Sequence, residues 1–76
     1  MALIKKIAPL TLQSVTKHSD AECTFSIVTD ESGQKLLQLD TYGSAGRAIP
    51  GKKSQSLRFT PDALLELKQI IQSEGL

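Results

Sequence analysis

Two segments in the middle of the chain alternate apolar and polar residues and are separated by a short polar stretch. They are residues 23–29 (CTFSIVT) and residues 35–42 (KLLQLDTY). Alternation with a period of two is typical of strands that pack one face on a core. The residues between them, 30–34 (DESGQ), are turn formers and include a glycine that can adopt positive φ. The pattern therefore predicts an antiparallel β-hairpin.

The alternation also predicts which side chains share a face. Phe25 and Ile27 fall on one face of the first strand, and Leu37 and Leu39 fall on one face of the second. Phe25 and Phe59, the two phenylalanines of the chain, are predicted to lie in the core. The opposite face of the hairpin is predicted to carry Thr24, Ser26, Val28, Leu36, Gln38, Asp40 and Tyr42.

Two further segments are predicted to be strands. Residues 54–59 alternate, with Ser56 and Arg58 pointing outward. Residues 10–17 alternate less regularly and are predicted as the remaining strand of the sheet. Residues 1–8 precede it as a candidate flexible arm.

The clearest local signals belong to a C-terminal helix. Thr60 is a preferred N-cap, Pro61 suits the first helical position, and Asp62 complements the helix dipole. Gly75 is a suitable C-terminal stop. An apolar stripe at helical spacing follows the cap and comprises Ala63, Leu64, Leu67, Ile70 and Ile71. Together these elements predict an α+β fold, an antiparallel sheet of about four strands followed by one helix (ββββα).

The length limits the chain to one domain, residues 1–76, with a small core. A sheet this short and one helix cannot enclose all the apolar residues, so a second copy of the chain is the expected partner. The predicted dimer interface is Leu64, Leu65 and Ile71.

Cys23 is the only cysteine, and no apolar run reaches the length of a membrane span. These features predict a cytoplasmic protein without a membrane partner.

The positive charge is concentrated in residues 35–58. That segment holds five Lys and Arg against one acid, Asp40, a local balance of +4 in a chain whose net charge is +1. A near-neutral protein with its cations gathered in one region attracts polyanions locally. Lysine and arginine in a surface loop can also serve solubility alone.

Catalytic motifs are weak. Residues 46–52 match the spacing G-x-x-x-x-G-K, but Lys53 stands where a phosphate-binding loop needs Ser or Thr for magnesium. The residues that follow alternate as a strand, whereas such a loop must open a helix. His18 is the only histidine. The sequence therefore predicts a protein that is not an enzyme and has no metal, no cofactor and no small-molecule substrate.

The outward residues of the sheet and the basic loop together predict binding of single-stranded nucleic acid. A sheet face that combines an aromatic ring, polar groups and a basic rim can stack bases and neutralise phosphates. Tyr42 would stack a base. No helix suitable for reading a groove is predicted, so sequence specificity should be low. The predicted nucleic-acid-binding residues are Lys35, Gln38, Tyr42, Arg47, Lys52, Lys53 and Arg58.

Four short motifs, in order, resemble the positive-cofactor-four type of transcriptional coactivator, a family of small dimers that bind single-stranded DNA. They are LQLDTY at 37–42, Pro-Gly-Lys-Lys at 50–53, Leu-Arg-Phe at 57–59 and Thr-Pro-Asp at 60–62. Gly43 and Leu64 stand where the family often has tryptophan. The resemblance covers about the last two thirds of the chain.

The resemblance implies a curved four-stranded antiparallel sheet followed by a helix, and dimerisation through the helix and sheet edges. It also implies that two sheets form a channel for unpaired DNA, lined by Tyr42, Lys52, Lys53 and Arg58. The activity implied is that of a coactivator-like transcription or replication accessory factor, with single-stranded DNA or RNA as the partner.

Two alternatives use the same features differently. One is a protein-interaction or regulatory module that keeps the fold without binding nucleic acid, through Leu65 and the loop 43–53. The other is binding of duplex DNA or RNA by charge alone, which needs only the basic rim.

Overall fold

The computed structural model describes residues 1–18, 20–42 and 53–76. Its described elements follow the order ββββα. The elements are β1 (Ala2–Ile4), β2 (Glu22–Thr29), β3 (Lys35–Tyr42), β4 (Lys53–Phe59) and α1 (Pro61–Glu74). The predicted fold class of four strands and a C-terminal helix is therefore confirmed.

The strands form one sheet in the order β1-β4-β3-β2. The pairs β2/β3 and β3/β4 are antiparallel, as predicted, and β1 pairs with β4 in parallel. The sheet is therefore mixed, although mostly antiparallel. Neither edge strand has a second neighbour in the described chain.

The fourth strand is not the one that the sequence predicted. Residues 10–17 form no strand, and Ala2–Ile4, within the expected flexible arm, joins the sheet instead. Leu12 and Val15 are three residues apart, so a strand through them would place them on opposite faces. Both are exposed. The β1 strand is continued by a hydrogen bond from the Thr60 amide to the Ile4 carbonyl of 3.1 Å.

The turn of the β2–β3 hairpin is organised by Asp30. Its carboxylate accepts hydrogen bonds from the Ser32 amide, the Ser32 hydroxyl and the Gln34 amide, at 2.9, 2.7 and 2.9 Å. The Ser32 hydroxyl makes the largest contribution to lowering the pKa of Asp30. Gly33 has φ of 87°, a conformation that glycine adopts without strain.

The helix begins and ends as the local signals predict. The Thr60 hydroxyl accepts a hydrogen bond from the Ala63 amide at 3.2 Å, and Pro61 occupies the first turn. Gly75 closes the helix in the left-handed conformation, with φ of 69°. Among the described residues, no helix is both long enough and apolar enough to cross a membrane.

The sheet has an apolar face and a polar face, and their side chains divide as the alternation predicted. The apolar face carries two rows of side chains that are paired across β2, β3 and β4. These rows are Phe25–Leu39–Leu57 and Ile27–Leu37–Phe59. The opposite side is the polar face; it carries Glu22, Thr24, Ser26, Val28, Leu36, Gln38, Asp40, Tyr42, Ser56 and Arg58.

Burial corrects one core prediction. Phe59 is buried, at 9% exposure, whereas Phe25 is 73% exposed and is not a core residue of the single chain. Phe25 lies on β2, an edge strand, while the helix makes its main strand contacts with β4. Among the described residues, therefore, no second layer covers the apolar side chains of β2.

Candidate nucleic-acid interface

The centre of the polar face is a hydrogen-bonded network that joins β3 to β4. The Gln38 amide nitrogen lies 3.2 and 3.0 Å from the two carboxylate oxygens of Asp40. The Ser56 hydroxyl donates to the same carboxylate from β4. The Arg58 Nε donates to the Gln38 amide oxygen at 2.8 Å. Strand pairing places these groups together, since Gln38 is opposite Arg58 and Asp40 is opposite Ser56.

Lys53 joins this network through its charge. Its ammonium lies 3.3 Å from the Asp40 carboxylate, and its side chain remains 56% exposed. An irregularity in the pairing at Thr41/Tyr42 sets Lys53 opposite Tyr42 at the end of the polar face. Two of the predicted binding cations, Lys53 and Arg58, therefore lie on the same face.

Asp40 is held in its charged form by these partners. It is only 3% exposed. Hydrogen bonds from Ser56 and then Gln38 lower the pKa of Asp40 against the opposing effect of desolvation, and Lys53 adds a smaller lowering. A carboxylate with these donors stays ionised at neutral pH. The polar face therefore has a fixed negative charge between its two cations.

Tyr42 lies on the polar face and not in the interior. It is half-buried, and its hydroxyl is 2.9 Å from the Thr24 hydroxyl of β2. The tyrosine ring therefore stands at the end of the sheet from which the chain enters residues 43–52 and to which it returns at Lys53.

The remaining predicted binding residues do not all join this group. Lys35 is exposed and has the strand parity of Leu37, which places it on the apolar face at the other end of β3. Gln38 is 7% exposed and its amide is engaged in the network, so its evident role is to position Arg58. Arg47 and Lys52 lie outside the described residues.

The described charges leave the polar face electrically balanced. Lys53 and Arg58 supply two cations, while Asp40 and Glu22 supply two anions. Arg58 also borders an open depression of about 540 Å³, which is otherwise lined by Thr29 at the end of β2 and by residues 30–32 of the acidic hairpin turn. The charges of the described residues on this face therefore give it no net attraction for phosphate.

The organising role of Asp40 was missed from the sequence. The alternation placed Asp40 correctly on the face of Gln38, but the sequence-based prediction treated Asp40 only as the one negative charge within the basic segment 35–58. The available signal was an acid in the middle of a strand, because such a residue needs a partner on a neighbouring strand. Which residues would be those partners depends on register.

The three residues predicted for a dimer interface differ in exposure. Leu65 and Ile71 are exposed on α1, and Leu64 is half-buried.

Within residues 1–18, 20–42 and 53–76, no group of three or more His, Cys, Asp or Glu side chains could hold a metal ion.

No protein-family model, curated protein or solved structure matches this chain. The resemblance to positive-cofactor-four coactivators therefore stays a prediction made from short motifs.

Proposed function

We propose that this chain binds single-stranded nucleic acid, preferentially DNA, along the polar face, from Tyr42 and Lys53 at one end toward Arg58. The observation that supports the proposal is that Lys53, Arg58 and Tyr42 share one face, where Asp40 pairs with Lys53 and Gln38 accepts a hydrogen bond from Arg58. Cations on a sheet beside an aromatic ring can neutralise phosphates while a base stacks.

Each group has a distinct part in this proposal. Lys53, with its exposed ammonium, contacts phosphate together with Lys52 and Arg47 from the adjoining loop. Arg58 donates from its remaining guanidinium nitrogens, because the bond to Gln38 uses its Nε. Tyr42 presents its ring to a base. Lys35 is not part of the proposed site, since the fold separates it from the rest.

The proposal favours single strands with little sequence specificity. A base must be free of its complement to stack on Tyr42, and the described polar face has no helix that could enter a major groove. Such an activity suits a cytoplasmic accessory factor in transcription or replication that acts as a homodimer. The resemblance to positive-cofactor-four coactivators favours the same role.

The test of the activity is titration of the chain with a fluorescent oligo-dT and with a duplex of equal length across a salt series. We expect tighter binding to the single strand and a linear fall of log affinity with log salt. Equal affinity for the two ligands would favour the duplex alternative, in which charge alone drives binding. Failure of both ligands to bind would end the nucleic-acid proposal.

The test of the site is the double variant Lys52→Ala/Lys53→Ala. Each single-strand phosphate contact contributes about 0.7 to the salt slope, so the slope should fall by up to about 1.4 and affinity at 0.1 M salt by roughly 10- to 25-fold.

The matched control is Lys5→Ala/Lys6→Ala, which removes the same charge from two exposed residues that follow β1. The control should bind oligo-dT as the wild type does. If the two double variants weaken binding equally, the loss of net positive charge explains the weaker binding and the site assignment is wrong.

A second candidate, a protein-interaction or regulatory module, is favoured by the exposed Phe25 and Ile27 and by the balanced charge of the described polar face. It predicts no binding of oligo-dT in the titration above.

A further inference from the structure

Burial on the apolar face falls steadily from β4 toward β2. Along one row Phe59 is 9% exposed, Leu37 is half-buried and Ile27 is 61% exposed. The adjacent row ends in Phe25, which is the more exposed of the two β2 residues. Side chains of this size seldom remain uncovered as neighbours on one face in a chain that works as a monomer.

We call the uncovered part of this face the edge patch, formed by Cys23, Phe25, Ile27 and Leu39. Strand pairing joins Phe25 to Leu39, and Cys23 and Ile27 share the parity of Phe25 on β2. The patch contains no charged side chain. A partner that covers it therefore has to be apolar.

The surface area of the single chain indicates how much a partner could cover. The accessible surface is 6579 Å² for a chain of 8.2 kDa, while a compact monomer of that mass exposes about 4500 Å². The excess is about 2000 Å² for each copy, part of which belongs to residues 5–18, which form no helix or strand. A standard stable interface buries about 800 Å² for each partner. The excess is therefore large enough for a dimer.

We propose that the edge patch is the interface with a second copy of this chain. A two-fold dimer places the same patch on both sides, so the apolar side chains of one copy meet those of the other without any unpaired charge. The net charge of +1 adds little repulsion between copies. A chain of 76 residues without a disulfide also gains the core that it lacks by this association.

This interface leaves the opposite side of the sheet free. Lys53 and Arg58 are on the polar face, so two copies that meet through their apolar faces leave the exposed Lys53 and the half-buried Arg58 of each copy outside the interface. The inference shares with the proposed function only the expectation of two copies, and it does not require nucleic-acid binding. The two can therefore fail separately.

Cys23 provides a built-in reporter of the interface. It is the only cysteine and is exposed in the single chain. We expect wild-type protein to be dimeric by light scattering, and its thiol to react with 5,5′-dithiobis(2-nitrobenzoate) about tenfold more slowly at 100 times the dimer dissociation constant than after dilution to monomer.

The decisive variant is Phe25→Asp, which places a carboxylate in the patch. It should be monomeric, and its Cys23 should react rapidly at every concentration. Val15→Asp is the matched control, because Val15 is also an exposed apolar residue but is outside the sheet. The control should remain a dimer with a protected thiol. Phe25→Thr, which keeps a strand-forming residue, serves in place of Phe25→Asp if circular dichroism shows that the aspartate variant is unfolded.

Two results would overturn the inference. One is a wild-type protein that stays monomeric at high concentration. The other is a dimer whose Cys23 reacts as fast as in Phe25→Asp, since that dimer would use another surface. If Leu65→Asp makes the protein monomeric and Phe25→Asp does not, the interface is the edge of the helix around Leu65.

Discussion

The carboxylate of Asp40 accepts hydrogen bonds from Gln38 and Ser56 and pairs with Lys53. At the scale of single residues this arrangement has two opposite consequences for a polyanion. The network fixes the positions of Lys53 and Arg58 relative to each other. It also places a negative charge where a phosphate would approach Lys53, so a phosphate has to compete with Asp40 for that ammonium.

We therefore expect Asp40→Asn to strengthen binding of a single strand. The substitution keeps the size of the side chain and removes the charge that competes for Lys53. With one more effective cation, the salt slope should steepen by about 0.7 and affinity for oligo-dT at 0.1 M salt should rise about fivefold. Titration across a salt series measures both quantities.

Asp20→Asn is the control for this experiment, because it makes the same change in net charge at an exposed residue outside the strands. If the two variants bind alike, competition at Lys53 is not what limits affinity. Thermal unfolding of Asp40→Asn shows whether its hydrogen-bonded network survives, since loss of the fold would weaken binding for a different reason.

At the scale of elements, the helix is the part whose limits are set locally. Its N-terminus is capped by Thr60 and followed by Pro61, and its C-terminus closes at Gly75. These signals act through groups within a few residues of each other. Strand β1 is the contrasting case, since it pairs in parallel with residues more than fifty positions away, Ala2 with Leu57 and Ile4 with Phe59.

The cap gives a prediction for the helix. Thr60→Ala removes the acceptor for the Ala63 amide and should lower the free energy of unfolding by about 1 kcal/mol, while Thr60→Ser should be nearly neutral. Denaturant unfolding measures the difference. Thr11→Ala, at an exposed residue outside any element, should leave stability unchanged. Equal stability of all these variants would mean that the cap does not support the helix.

At the scale of the whole molecule, burial is distributed in an unusual way between the two faces of the sheet. Polar residues Gln38 and Asp40 are among the most buried side chains, whereas Phe25 and Ile27 are exposed. A polar pair can be shielded by its neighbours when every group has a hydrogen-bond partner. The described residues provide no such compensation for these exposed apolar side chains, and the dimer proposed above would supply it by removing them from water.

Stability should therefore depend on protein concentration. For a dimer whose folding is coupled to association, each tenfold rise in concentration adds about 1.4 kcal/mol, which raises Tm by a few degrees. Calorimetry over a hundredfold range of concentration measures the shift. Phe25→Asp should show none, and a wild-type Tm that does not change over this range would contradict coupling between folding and association.

The predictions from sequence succeeded where the signal is local. The hairpin of residues 23–29 and 35–42, the strand ending at Phe59 and the capped helix are confirmed because alternation, turn formers and caps act over a few residues. The predicted strand at residues 10–17 was wrong because the apolar residues of a segment do not by themselves determine whether it pairs with another strand. The short strand at Ala2–Ile4 has no local signal of comparable strength.

The amino-acid sequence by itself determined which side chains of each strand share a face, since side-chain direction alternates strictly along an extended backbone. On that basis Tyr42 and Arg58 were expected on one side of the sheet, and the structure has them there. The tertiary structure decided which of these side chains meet, which is why Asp40 pairs with Lys53 and Lys35 lies apart. It also decided which apolar residues are covered, because burial depends on what packs above a strand and not on the residues within it.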